Sequence, residues 1–351
     1  MRNNRDWHPA NVRAHRDLSA TVREFEIRPE GGVKPWSVGS HLDMRVEVNG
    51  REETRSYSLV GLPGDDAYRI AVKRAQPGRG GSRFMWALET GSELLIGEPN
   101  NHFELSFNAP AASTPGRSQG DATPSGGRTP KGGLGGCQYL LVAGGIGITP
   151  IVGMAQMLAA RGANVQMRYA VRSAAELVYG DRLKSALGDR LKTFCSDAGE
   201  RLDIDAEIAA LAPRAQLLAC GPITLLDALR EAWAAAGRSA ADLRFETFGN
   251  SGRFESQAFW VELPRHGLRL EVPAERSLLD VLNEAGVETL YDCQRGECGL
   301  CAVDIVSASG SIDHRDVFFS VHEKQSNQRL CACVSRVHGG GVVLDSAYRP
   351  D

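Results

Sequence analysis

The feature that most constrains this chain is a loop near its carboxy-terminal end, Cys293-Gln294-Arg295-Gly296-Glu297-Cys298-Gly299-Leu300-Cys301, with Cys331 about thirty residues further on. A C-x4-C-x2-C run followed by one distant cysteine is the spacing that holds a [2Fe–2S] core. Three thiolates from one loop wrap the inorganic unit, and the fourth comes from elsewhere to close the shell. Gly296 and Gly299 let the backbone approach the sulfides and turn amide donors toward them, which tunes the potential. A zinc knot would favour two short C-x2-C pairs instead. Cys293, Cys298, Cys301 and Cys331 are the candidate metal ligands, and Cys333 reads as a packed free thiol. The other three of the 8 cysteines, Cys137, Cys195 and Cys220, are scattered through the middle of the chain. In a reducing compartment such a cluster points to metal or redox chemistry, not to a disulfide framework.

A chain of 351 residues exceeds one ordinary core and implies two or three domains. A net charge of −3 argues against a nucleic-acid partner, which calls for a basic surplus. No apolar run reaches the roughly 20 residues that span a bilayer, so no membrane partner is expected. The first nine residues are polar and lack the apolar core of a secretory signal. The reading is a cytoplasmic monomer.

Three patterns follow one another. In residues 1–107, Leu42, Met44, Val46 and Val48 alternate with polar neighbours, and 56–60, 68–72 and 93–96 look alike. Short period-two strands between Gly and Pro turns predict an antiparallel β-barrel. Residues 108–136 are Gly, Ser, Pro, Thr and Ala with almost no large apolar side chain, which predicts a flexible insertion. Residues 137–249 alternate strands (138–143, 165–171, 216–220, 243–248) with helices (150–160, 181–187, 224–236), so an α/β domain with a parallel sheet is expected. Residues 250–257 read as a linker, and 258–351 as an α+β domain around the cysteine loop.

Two more segments carry chemistry. Arg55-Ser56-Tyr57-Ser58 sits on a barrel strand, and Val72-Lys73-Arg74 leads to Gly78-Arg79-Gly80-Gly81-Ser82. Arg55 offers a fixed cation for a phosphate, Tyr57 an aromatic wall, and Gly80, Gly81 and Ser82 amides and a hydroxyl for a second phosphate face. Ala143-Gly144-Gly145-Ile146-Gly147-Ile148-Thr149-Pro150 ends a strand and opens a helix, where glycines permit close approach and the helix terminus offers amides to a pyrophosphate. Cys220-Gly221-Pro222, Glu246-Thr247-Phe248-Gly249 and Arg172 with Ser173 stand at later strand ends.

The R-x-Y-S and G-x-x-S segments resemble the flavin site of the ferredoxin–NADP reductase superfamily. With the cysteine loop and the stretch 303–336, nearly the whole chain resembles the phthalate dioxygenase reductase family, the reductases of two-component Rieske oxygenases. The resemblance implies a barrel that binds FMN, a nicotinamide domain, and a carboxy-terminal plant-type ferredoxin domain of the β-grasp type. It implies that Ser58 lies near flavin N5, that Cys220 and Phe248 face the nicotinamide and the flavin ring, and that Arg172 lies where the adenosine ribose is read. NADH is the expected donor, with NADPH left open by Arg172. The implied route runs from NAD(P)H through FMN and the cluster to a transiently docked Rieske-type oxygenase. A cytochrome P450 or di-iron hydroxylase is the alternative acceptor. A self-contained flavin monooxygenase would leave the fused ferredoxin without purpose, and the intact flavin and nicotinamide segments count against a redox-sensing module. Family members pass directly from barrel to nicotinamide domain, so 108–136 departs from the pattern.

Overall fold

A computed structural model describes residues 6–64, 66–75, 80–105, 137–248 and 252–345. The expected insertion at 108–136, together with Gly78 and Arg79, lies outside the described residues.

The first unit comprises β1 (His8–Asp17), β2 (Val22–Pro29), β3 (His41–Val48), β4 (Arg51–Ser58), β5 (Tyr68–Lys73), α1 (Gly81–Trp86) and β6 (Glu93–Ile96). They form one antiparallel sheet in the order β4-β3-β6-β1-β2-β5. Alternation sets its curvature: Leu42, Met44, Val46 and Val48 point inward, while Arg45 and Glu47 face out. Its two edge strands meet at one end, where Leu59 bridges Ile70 and the Val60 amide donates to the Arg69 carbonyl at 2.8 Å. The sheet therefore curls into a barrel around Val12, Phe25, Ile27, Leu42 and Ile70.

The second unit alternates β7 (Gln138–Gly144), α2 (Ile148–Ala160), β8 (Asn164–Val171), α3 (Gly180–Leu187), β9 (Leu191–Cys195), α4 (Ile204–Ala209), β10 (Gln216–Cys220), α5 (Ile223–Ala235) and β11 (Leu243–Glu246). The sheet is parallel, in the order β11-β10-β7-β8-β9. β7 and β10 are buried along their whole length, as central strands covered by helices on both faces must be.

The third unit holds β12 (Phe259–Leu263), β13 (Leu268–Val272), α6 (Leu278–Glu284), β14 (Ala302–Ala308), β15 (Ser311–Asp313), α7 (Val321–Ser326), β16 (Arg329–Cys331), β17 (Arg336–His338) and β18 (Gly341–Asp345). A mixed sheet, β13-β12-β18-β14-β16, packs against α6. Ser277 and Asp280 cap that helix reciprocally, which fixes its start so that Leu278, Leu279 and Leu282 enter the core.

The units are packed together. Val38, Val60 and Phe103 of the barrel share one apolar core with Ile151 and Met154 of α2. Gly153 makes that fit possible, because a Cβ there would lie 2.0 Å from the Gly61 carbonyl oxygen. On the other side, buried Lys324 of α7 meets buried Asp227 of α5 at 2.9 Å, and Arg230 donates to the Phe319 carbonyl at 3.0 Å. Arg51 and Glu284 pair between the first and third units.

Candidate functional site

A cleft of about 500 Å³ opens where the three units meet, within the range of about 300–1,000 Å³ usual for small-molecule sites. The barrel supplies Arg55, Tyr57, Ser58, Val72, Lys73, Gly80, Gly81 and Ser82 to its wall. The second unit supplies Ile146, Thr149 and Phe248, and the third supplies Cys293, Gln294, Arg295 and Arg315. An open groove of about 710 Å³ on the outside of the barrel, between Ala10, Arg28 and Thr90, gathers none of the residues singled out from the sequence.

The barrel wall is a built cradle. A Cβ on Gly81 would lie 2.7 Å from the Arg55 side chain, so the arginine lies directly across the glycine backbone. Arg55 is held there by Glu53 at 2.5 Å and by the Thr54 carbonyl at 2.9 Å. The Ser82 hydroxyl accepts the Ala75 amide at 3.2 Å, and Lys73 pairs with Glu176 at 3.0 Å. Burial pushes the Tyr57 phenol well above its ordinary pKa, so it stays neutral beside Arg55. A cation laid over a glycine turn, next to a neutral aromatic, is a donor set that fits a flavin phosphate and ring.

At the second unit the glycines divide the work. A Cβ on Gly147 would sit 2.2 Å from the Cys220 carbonyl oxygen, and one on Gly144 2.6 Å from Pro222. Those two, with Gly221, let the β7–α2 turn press against the Cys220-Gly221-Pro222 turn after β10. Gly145 (φ +53) instead faces open space with a left-handed backbone. Pro150 falls in the first turn of α2, where its missing N–H is no loss. Thr149 donates to the Ile146 carbonyl at 3.1 Å. The packed glycine turns and the amino terminus of α2 fit a dinucleotide at the sheet's carboxyl end. Arg172 lies outside the cleft, exposed beyond β8, its carbonyl accepting the Asp197 amide at 2.9 Å.

The cysteine loop curls about one sulfur. Cys293 Sγ accepts the amides of Arg295, Glu297 and Cys298, each at 3.4 Å. Gly299 (φ +74) packs so closely on Phe318 that a Cβ would lie 2.3 Å from its ring. Cys301, Cys331 and Cys333 are buried in one core, where the two neighbouring thiols push Cys301 down and Cys301 pushes both of them up. The Cys293 thiol raises Cys333 further, whereas Asp316 raises Cys331. Among the described residues no three His, Cys, Asp or Glu side chains converge on one point, as a mononuclear ion requires. Thiols spread around a loop and ringed by amides fit a two-iron core.

Sequence reasoning did not single out a buried charged group joining all three units. Ser58 Oγ donates to Glu246 Oε2 at 3.3 Å, and Arg295 reaches Glu246 at 3.4 Å and Glu297 at 3.1 Å. Glu297 in turn accepts the Thr247 amide at 3.2 Å. Burial pushes Glu246 up to about 8, against the pull of Arg295, so it is largely protonated at neutral pH. Burial, and next the nearby Glu246, push the adjacent Cys220 thiol up. Cys220 is thus a neutral group beside the cleft and not a nucleophilic thiolate.

Fold and site together define a pyridine-nucleotide-linked reductase in which the first thiol of the cysteine loop lines the central cleft. Residues 261–338 match the 2Fe-2S iron-sulfur cluster binding domain. The chain is 35% identical to the heme-dependent oxidative N-demethylase beta subunit of Ectopseudomonas mendocina (strain ymp), over 95% of this chain and 97% of the relative. It is 32% identical to the phthalate 4,5-dioxygenase oxygenase reductase subunit of Pseudomonas putida, over 95% of each. The crystal structure of phthalate dioxygenase reductase superposes with a TM-score of 0.68 at 28% identity, covering 97% of this chain and 98% of that one. The chain belongs to the phthalate dioxygenase reductase family. It is an oxidoreductase that uses a flavin, NAD(P)H and a [2Fe–2S] cluster to supply electrons to an oxygenase component.

Proposed function

We propose that the protein is the NADH-dependent, FMN-containing reductase of a two-component Rieske-type oxygenase. The observation that carries this reading is that Cys293, first thiol of the cluster loop, lines the same cleft as Tyr57, Ser58 and Phe248. When bound, the flavin accepts a hydride and the cluster exports single electrons, chemistry that belongs to the cofactors. The chain's own residues bind, orient and exclude water. Arg55, Gly80, Gly81 and Ser82 hold the flavin phosphate, and Tyr57, Val72 and Lys73 line its ring and ribityl chain. Gly144, Gly145, Gly147, Thr149, Pro150, Gly221 and Pro222 hold the dinucleotide, with Arg172 near its adenosine end. Ser58 and Cys220 flank the point of hydride arrival, and Phe248 covers the ring. Cys293, Cys298 and Cys301 hold the cluster with one thiolate from the Cys331–Cys333 pair. The spacing supports Cys331, and the electrostatic influence of Cys293 on Cys333 supports Cys333.

The unit boundaries 1–107, 137–249 and 258–351, a monomeric state and a cytoplasmic location belong to the same reading. Among the described residues no helix is long and apolar enough to cross a membrane. A haem-containing acceptor is the second reading, supported by the 35% identity to a subunit of a heme-dependent system. Anaerobically purified protein should yield FMN on extraction, two irons with inorganic sulfide per chain, and faster turnover with NADH than with NADPH. Zinc in place of iron sinks the cluster assignment, and FAD in place of FMN sinks the flavin assignment. Turnover with a Rieske oxygenase against a haem oxygenase decides the acceptor.

A further inference from the structure

The charged group at the junction has a topology that the cofactor sites do not require. Arg295 belongs to the loop between the first two cluster thiols, yet its guanidinium turns inward and is buried. Its Nη1 meets Glu246 of β11, and its Nη2 meets Glu297 of its own loop. Glu246 holds Ser58 of the barrel, and Glu297 holds the amide of Thr247, the residue after Glu246. The loop is thus tied twice to the end of one strand of the parallel sheet, and through Glu246 once to the flavin wall. The Arg295 Nε is buried with no hydrogen-bond partner. A buried guanidinium is costly unless the groups that pair with it are held in place.

We propose that Arg295 is a positioning residue that fixes the cluster loop against the flavin cleft by way of Glu246. Phe, Leu or Ser at this position would leave three thiolates in place but free the loop to shift relative to Ser58. Electron transfer from flavin to cluster is sensitive to that separation. Because Glu246 belongs to the nicotinamide unit, the same tie lets nucleotide occupancy at Cys220-Gly221-Pro222 bear on the loop. The inference rests on the cofactor assignments above.

Amide hydrogen exchange of the full-length holoprotein tests it without turnover. Glu246→Ala, distant in sequence from the thiols, should speed exchange of the 294–298 amides at least severalfold. Arg295→Gln should do the same, and Arg295→Lys should restore most of the protection. In stopped-flow, Arg295→Gln should slow cluster bleaching relative to flavin bleaching, and the Glu246→Ala/Arg295→Gln double variant should be no slower than Arg295→Gln alone. Unchanged loop exchange in Glu246→Ala overturns the proposal, as does a double variant whose slowing is the product of the two single effects. Wild-type protein lacking flavin or iron overturns the cofactor assignments instead, so the two failures are separable.

Discussion

Ser58 and Glu246 stand 188 residues apart in sequence, yet the serine hydroxyl donates to the carboxyl at 3.3 Å with both groups buried. The contact joins the last residue of β4 to the last residue of β11. It closes the cleft on the side where the resemblance puts flavin N5, and it sets a carboxyl there that is protonated at neutral pH.

That protonation has a signature in stability. Burial raises Glu246 from 4.5 to about 8 in the folded chain. The folded state therefore holds the proton more tightly than the unfolded state. The associated stability is complete below about pH 4.5 and is lost as pH rises through about 8, at no more than about 1.4 kcal/mol per pH unit. Unfolding midpoints of wild type and Glu246→Gln, followed across that window, should diverge, the wild type declining more steeply. Parallel curves would mean that Glu246 ionises as an ordinary surface carboxyl does.

Much of this site was legible in the sequence, for local reasons. The cysteine spacing, the R-x-Y-S strand and the glycine turns are short, contiguous signals; Arg55, Tyr57, Ser58, Gly80, Gly81, Ser82, Thr149 and Cys293 line one cleft, whereas Gly144, Gly147, Cys298, Cys301 and Cys331 do not. Strand and helix alternation in the second unit was equally plain, because its central strands are continuous apolar runs. The strand β1 (His-Pro-Ala-Asn-Val-Arg-Ala-His-Arg-Asp) was not expected, because among its ten residues only Ala10 and Val12 are buried. Arg295 and Glu297 were present inside the quoted motif, but nothing local says that an arginine between two cluster cysteines turns inward. Its partner Glu246 lies on another unit, and such pairing is set only by tertiary packing.

Cys298 offers the cleaner separation of the two proposed redox sites, because Cys293 lines the central cleft and its loss would disturb both. Cys298→Ser should remove the [2Fe–2S] absorption and keep NAD(P)H-to-dye turnover. Reduction of cytochrome c, and support of the partner oxygenase, should fall to a small residue. Full support of the oxygenase by this variant would show that electrons leave directly from the flavin.

Cys331 and Cys333 give a second test at the cluster. Both are buried against Cys301, and only one of them is needed. If Cys333 closes the shell, Cys333→Ser abolishes the cluster spectrum while Cys331→Ser leaves it. The reverse pattern returns the role to Cys331, as the spacing alone implies. Iron and sulfide content measured on both variants, with the flavin spectrum as an internal standard, reads the result.

The pair between Lys324 and Asp227 should decide how firmly the cluster unit is held. Asp227, buried on α5, meets buried Lys324 at 2.9 Å, with Arg230 and Arg253 further off at 3.6 and 3.7 Å. Removing one member of a buried pair leaves the other as an uncompensated charge, at a cost of about 3–5 kcal/mol. Lys324→Met should fall at the low end, about 3 kcal/mol, because two arginines remain near the carboxylate. The double variant Lys324→Met/Asp227→Leu removes the stranded charge and should recover most of that loss. Scanning calorimetry of the holoprotein would show it as an earlier transition in Lys324→Met. Cytochrome c reduction should drop more than dye reduction as the cluster unit loosens. If Lys324→Met unfolds with the wild type, the pair is dispensable and the apolar contacts around Val317 hold the interface alone.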